Sequence, residues 1–218
     1  MPTGAITFEQ AIWQGDGTAS VVVHSSEEGY TIQYQIVATG SVTDPEELEE
    51  ANWKPVGNGE AVTGIQHNQT VYARLWDGTN GSSYANADIK DTEVPQVSAT
   101  VGGTTSNSVA VSVQVSDNES GMIESPTYTY SIKQTGEPDS SYTTPSGASN
   151  ITTNTYTFTG LTKETSYDVK VEVNGDKAGN IGTGYLPNQT TGSITGGDEA
   201  IQTGAITFGN TTWSNNLA

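Results

Sequence analysis

The feature that most constrains this chain is a two-residue apolar rhythm with no convincing helical period beside it. Val109, Val111, Val113 and Val115 occupy alternate positions. Tyr167, Val169, Val171 and Val173 alternate with Asp168, Lys170 and Glu172. Ile32, Tyr34 and Ile36 alternate with Gln33 and Gln35, and Val71, Ala73 and Leu75 alternate with Tyr72, Arg74 and Trp76. Successive strand side chains point to opposite faces, so each run buries one face and leaves the other outward. Shorter runs at Ala5–Phe8, Ala19–His24, Tyr128–Ile132 and Tyr156–Phe158 follow the same pattern, with Gly, Asn, Asp and Ser between them. Short strands with such turn signals predict an all-β chain of two tandem antiparallel β-sandwiches. The one helix candidate is 44–50, where Asp44 suits a cap, Pro45 the first turn and the following carboxylates the positive helix end. One or two turns in a crossover loop are expected there.

Composition narrows the function classes. No cysteine is present, so disulfides, thiol nucleophiles and cysteine metal sites are excluded and the fold must be held by its cores. With 25 acidic and 7 basic residues the formal charge is −18, which argues against nucleic acid and anionic membrane as partners. No apolar stretch approaches the roughly 20 residues of a membrane-spanning helix, and no membrane insertion is expected. The histidines, His24 and His67, fall in separate elements, and no nucleophile elbow or phosphate loop accompanies them. An enzyme is not expected.

The chain also repeats itself. Thr3-Gly4-Ala5-Ile6-Thr7-Phe8, with Trp13, returns 200 residues later as Thr203-Gly204-Ala205-Ile206-Thr207-Phe208, with Trp213. A period of that length suits one or two whole domains rather than a solenoid unit. Residues 203–218 are therefore expected to open a further repeat, after a glycine-rich linker at 193–202. Neighbouring repeats of the same protein are then the natural partners. Segment 203–213 is expected to seek a sheet edge, giving a strand-swapped dimer.

Gly160-Leu161-Thr162-Lys163-Glu164-Thr165-Ser166-Tyr167 resembles the turn into the sixth strand of fibronectin type III domains. In that family a Leu and a Tyr six residues later form the tyrosine corner, whose phenol bonds a nearby backbone group. The resemblance gives Leu161 and Tyr167 this structural role. Asp176-Lys177-Ala178-Gly179-Asn180 and Asp117-Asn118-Glu119-Ser120-Gly121 resemble turns of bacterial surface Ig-like and fibronectin-like repeats. Asp91 through Pro95 resembles their approach segment. In the first half, Ile65, Tyr72 and Asp77 parallel this pattern, but Tyr72 lies seven residues after Ile65, so no tyrosine corner is expected there. The resemblance implies an Ig-like sandwich at 1–91 and a fibronectin type III-like sandwich at 92–192. It further implies a fragment of a large exported, extracellular bacterial surface or phage structural protein. Such modules act as non-catalytic spacers, stalks or adhesive repeats; the alternatives are a glycan- or protein-binding module and the accessory domains of a secreted hydrolase.

Two residue sets remain as candidate sites. In a sandwich of this kind the approach segment and two of the turns gather at one pole. Asp91, Glu93, Asp117, Glu119, Asp176 and Asn180 would meet there, facing the first domain. Carboxylates so close repel unless a hard cation neutralises them, and calcium accepts many oxygen ligands from loops. Calcium is the one cofactor this arrangement suggests, set against the ordinary turn-forming habit of Asp and Asn. The second set is the Tyr72, Arg74 and Trp76 stripe. The chain's single arginine could stack between those two rings and offer an aromatic platform to a host protein or glycan, or simply cover the sheet face.

Overall fold

The alternating runs form strands because their β-branched and aromatic side chains fit a pleated, half-buried surface. In the computed structural model, which describes residues 5–192, fourteen strands form four antiparallel sheets. The expected linker at 193–202, the repeat beginning at 203–218 and the strand swap through 203–213 lie outside the described residues.

The first sandwich opens with a broken edge strand, β1 (Ile6–Phe8) and β2 (Ile12–Trp13). Both pieces pair with β3 (Ala19–Ser25), whose other edge carries β6 (Glu60–Ile65). The facing sheet runs β5-β4-β7-β8, from β4 (Thr31–Ala38), β5 (Lys54–Val56), β7 (Gln69–Trp76) and β8 (Gly81–Ile89). The β4–β7 register sets Ile32 opposite Leu75, Tyr34 opposite Ala73 and Ile36 opposite Val71. Val21, Val23, Val62 and Ile65 close the core from the other sheet.

The second sandwich has the same plan. β9 (Gln96–Thr104), β10 (Val109–Ser116) and β12 (Thr155–Phe158) form one sheet, with β10 central. β11 (Met122–Gln134), β13 (Ser166–Asp176) and β14 (Ile181–Thr190) form the other, with β13 central. The four residues Val109, Val111, Val113 and Phe158 meet Tyr130, Val169, Val171 and Val173 across the interior. Where the first sandwich places β5, the second has irregular chain, which meets β11 through isolated bridges at Ile132–Thr143 and Tyr128–Ile151 and through the Tyr130 amide bonded to the Ala148 carbonyl. The Tyr167 hydroxyl accepts from the Thr162 amide at 3.0 Å, across the crossing between sheets, and Leu161 packs on the core beside it. The Tyr72 hydroxyl instead donates to the Val42 carbonyl, well away from its own turn.

The crossover between β4 and β5 contains two single-turn 3₁₀ helices, Pro45–Glu47 and Glu50–Asn52. Asp44 caps the first through a bond from the Glu46 amide. This segment folds over the outer face of the β5-β4-β7-β8 sheet: Gln35 donates to the Glu49 carbonyl, and Trp53 is buried against Tyr84.

In the second sandwich β14 and β9 approach side by side at the edge. A methyl at Gly182 would lie 2.5 Å from the Pro95 carbonyl oxygen, and one at Gly184 would lie 2.7 Å from Val97. The approach therefore requires glycine at both positions. Gly182→Ala should destabilise the chain by about 1–3 kcal/mol through overpacking, measured by urea unfolding. An unchanged midpoint would show that the two edges can separate freely.

Candidate metal centre at the domain junction

Three turns converge where the two sandwiches meet: the connecting segment from Asp91, the β10–β11 turn at 117–121 and the β13–β14 turn at 176–180. Each begins with an aspartate that ties its own turn. Asp91 Oδ1 accepts from the Glu93 amide at 3.0 Å. Asp117 Oδ1 accepts from Glu119 at 3.0 Å and Gly121 at 2.7 Å. Asp176 Oδ1 accepts from Ala178 at 2.6 Å. Such local bonds are the reason Asp initiates turns.

The turns are then sewn together by Ser120, which is 1% exposed. Its amide donates to Asp91 Oδ2 at 3.1 Å and its hydroxyl to Asp176 Oδ1 at 2.7 Å. One carboxylate oxygen from each of Asp91, Asp117 and Asp176 lies within 4.8 Å of the others. Asp91 is 3% exposed and Asp176 4%, while Asp117 is half-buried. At an effective dielectric of about 20, unit charges at that separation repel by about 3 kcal/mol per pair. Among the described residues no lysine or arginine forms an ion pair with any of the three. The other Asp176 oxygen, Oδ2, is buried without a hydrogen-bond partner, and so is the amide nitrogen of Asn180 in the same turn. Native buried polar atoms are rarely left so, and each such atom asks for a partner.

The other two acids of the set differ. Glu93 is exposed. Glu119 is pushed up to about 7, first by burial, then by its hydrogen bond to Asp91 and by the charges of Asp91, Glu93 and Asp117. Burial works to raise Asp91 as well, but the Ser120 and Glu119 bonds outweigh it and hold Asp91 below its usual range. One acid therefore keeps a proton so that its neighbour can stay ionised. Ser120 was not singled out by the sequence. Its place inside the Asp117–Gly121 turn was visible, but its bonds to two distant loops were not.

The junction is also crossed outside the acidic cluster. The Asp91 amide donates to Nδ1 of His67 in the first sandwich at 3.0 Å, which fixes that ring's proton on Nε2. Gly17 of the first sandwich, at φ +87°, lies under the second: a methyl there would be 2.7 Å from the Ser120 carbonyl oxygen and 2.9 Å from Lys177 Nζ.

Of the two readings open for the second candidate set, the arrangement matches cover for the sheet face. Arg74 is 2% exposed. Its guanidinium lies 4.3 Å from the Trp53 ring and 4.6 Å from the Trp76 ring, so the second ring of the stack is Trp53 where the sequence suggests Tyr72. Nε donates to Gln33 at 2.9 Å, and both terminal nitrogens bond the Glu50 carboxylate. Tyr72 and Trp76 are half-buried. The stripe acts as the seat for the β4–β5 crossover, which brings both Trp53 and Glu50.

No family model matches this chain, and no curated protein matches it. Among solved structures it is similar to a two fibronectin type III domain segment of chicken tenascin, over 85% of this chain and 99% of that one, at 13% identity and a TM-score of 0.49. It is also similar to the FN1–FN3 domains of chicken CNTN1, over 84% of this chain and 67% of that one, at 13% identity and a TM-score of 0.32.

The folded chain holds a proton on Glu119 that the unfolded chain releases near 4.5, so its stabilising effect is full below that pH and lost as pH rises through about 7. In metal-free buffer, melting temperature should fall between pH 5 and 8, and Glu119→Gln should flatten that slope. Arg74→Lys keeps the charge but loses the planar two-ring stack and the forked bond to Glu50; it should cost about 1–3 kcal/mol in thermal unfolding.

Proposed function

We propose that this chain is a non-catalytic spacer: two sandwiches set in fixed relation, serving as one unit of a stalk in an exported bacterial surface or phage structural protein. The observation that carries the reading is the double attachment of Asp91. Its amide is bonded to His67 of the first sandwich and its carboxylate to Ser120 of the second. A connecting residue held from both sides removes the freedom that a plain linker keeps. The duplicated opening motif at 3–13 and 203–213 supports an array, and the likeness of the turns to surface repeats supports the exported setting.

Such a unit should scatter in solution as an elongated particle of fixed length. Gly17→Ala places a methyl against the Ser120 carbonyl and leaves both cores untouched; it should broaden the distribution of inter-domain distances in small-angle scattering. Wild-type protein that already scatters as two loosely tethered bodies would overturn the spacer reading.

A further inference from the structure

We propose that Asp91, Asp117 and Asp176 form a calcium site that locks the junction between the two sandwiches. The locking, though not the site, rests on the spacer reading above. Three carboxylate oxygens from three separate loops lie within 4.8 Å of one another. Two of the three acids are almost fully buried, and no lysine or arginine forms an ion pair with any of them among the described residues. The independent sign of a ligand is Asp176 Oδ2. This atom is buried and has no partner, although the other oxygen of the same carboxylate accepts from both Ser120 and Ala178. A carboxylate with one saturated and one bare oxygen is set to give the bare one to an ion.

The donors also select the ion. Calcium takes its oxygens in a flexible arrangement that separate loops can supply, whereas magnesium demands a near-ideal octahedron and keeps several of its waters. All the donors are oxygens, which suits a hard cation and disfavours zinc or copper. The amide nitrogen of Asn180, in the same turn as Asp176, is likewise buried without a partner. Because Asp91 is the residue attached to both sandwiches, an ion on its carboxylate would tie the connecting segment to two turns of the second sandwich at once.

The test is calorimetric titration of calcium chloride into the full chain after chelation, with melts and small-angle scattering alongside. The expected result is one equivalent bound per chain, a higher melting temperature and at least tenfold weaker binding of magnesium chloride. Asp117→Asn keeps the oxygen that caps its turn and should weaken calcium at least tenfold with the melt still cooperative. Asp176→Asn serves as the second variant and should do the same. No saturable heat and no thermal shift at about 5 mM calcium, above the roughly 1 mM weak end for extracellular sites, would overturn the site, as would binding unchanged in both variants. The spacer reading fails separately: calcium that binds while the two bodies scatter as loosely tethered leaves the site standing and removes the locking. A rigid particle that ignores calcium removes the site and leaves the spacer.

Discussion

Everything in this molecule hangs on pairs of sheets facing each other with no covalent bond between them. Without cysteine, each interior is held by apolar side chains meeting from both sides, Val21, Val23, Val62 and Ile65 against Val71, Ala73 and Leu75 in one half, and Val109, Val111 and Val113 against Val169, Val171 and Val173 in the other. The driving force is the removal of apolar area from water, and small β-branched residues give it with little loss of rotamer freedom. Loops can then be polar and acidic, because the cores do not need them. That independence allows the turns at one pole to carry a cluster of acids costly to fold on its own.

The junction inverts the logic of the cores. There, buried carboxylates are held close by amides and a serine hydroxyl, and one neighbour retains a proton. Hydrogen bonds to ionised groups are stronger than neutral ones, and backbone amides at a turn are already oriented to give them. The result is polar contact between domains in place of an apolar interface. Its strength depends on how much negative charge it holds, and so responds to protons and cations in a way that an apolar contact would not.

How much of this was legible in the sequence follows from how local each interaction is. The strands were legible because alternation is a property of neighbouring residues, and 32–36, 71–76, 109–115 and 167–173 form strands with the expected faces inward. The 3₁₀ turn at Pro45–Glu47 was legible because Asp44 and Pro45 act on their own surroundings, whereas the one at Glu50–Asn52 has no capping side chain to announce it. The meeting of Asp91, Asp117 and Asp176 could be read from topology, since a sandwich fixes which turns share a pole. The partners brought by folding were not legible. Trp53 replaces Tyr72 beside Arg74 because the crossover closes over the sheet, a choice made by packing rather than spacing. Ser120 and Gly17 matter through atoms more than fifty residues away in Asp176 and about a hundred away in Ser120. Nothing in the spacing marks Gly182 and Gly184 of β14 as the place where β9 comes to rest.

The crossover over the first sandwich has a consequence for crowding. It carries Asp44, Glu46, Glu47, Glu49 and Glu50 on the outside of the sheet that it covers. Of these, the Glu50 carboxylate is tied down by Arg74. Two such chains lying side by side would bring like-charged ridges together, and the repulsion would act before any strands could touch. Dense copies on a surface would then stand apart like bristles, each keeping its neighbours at a distance set by ionic strength.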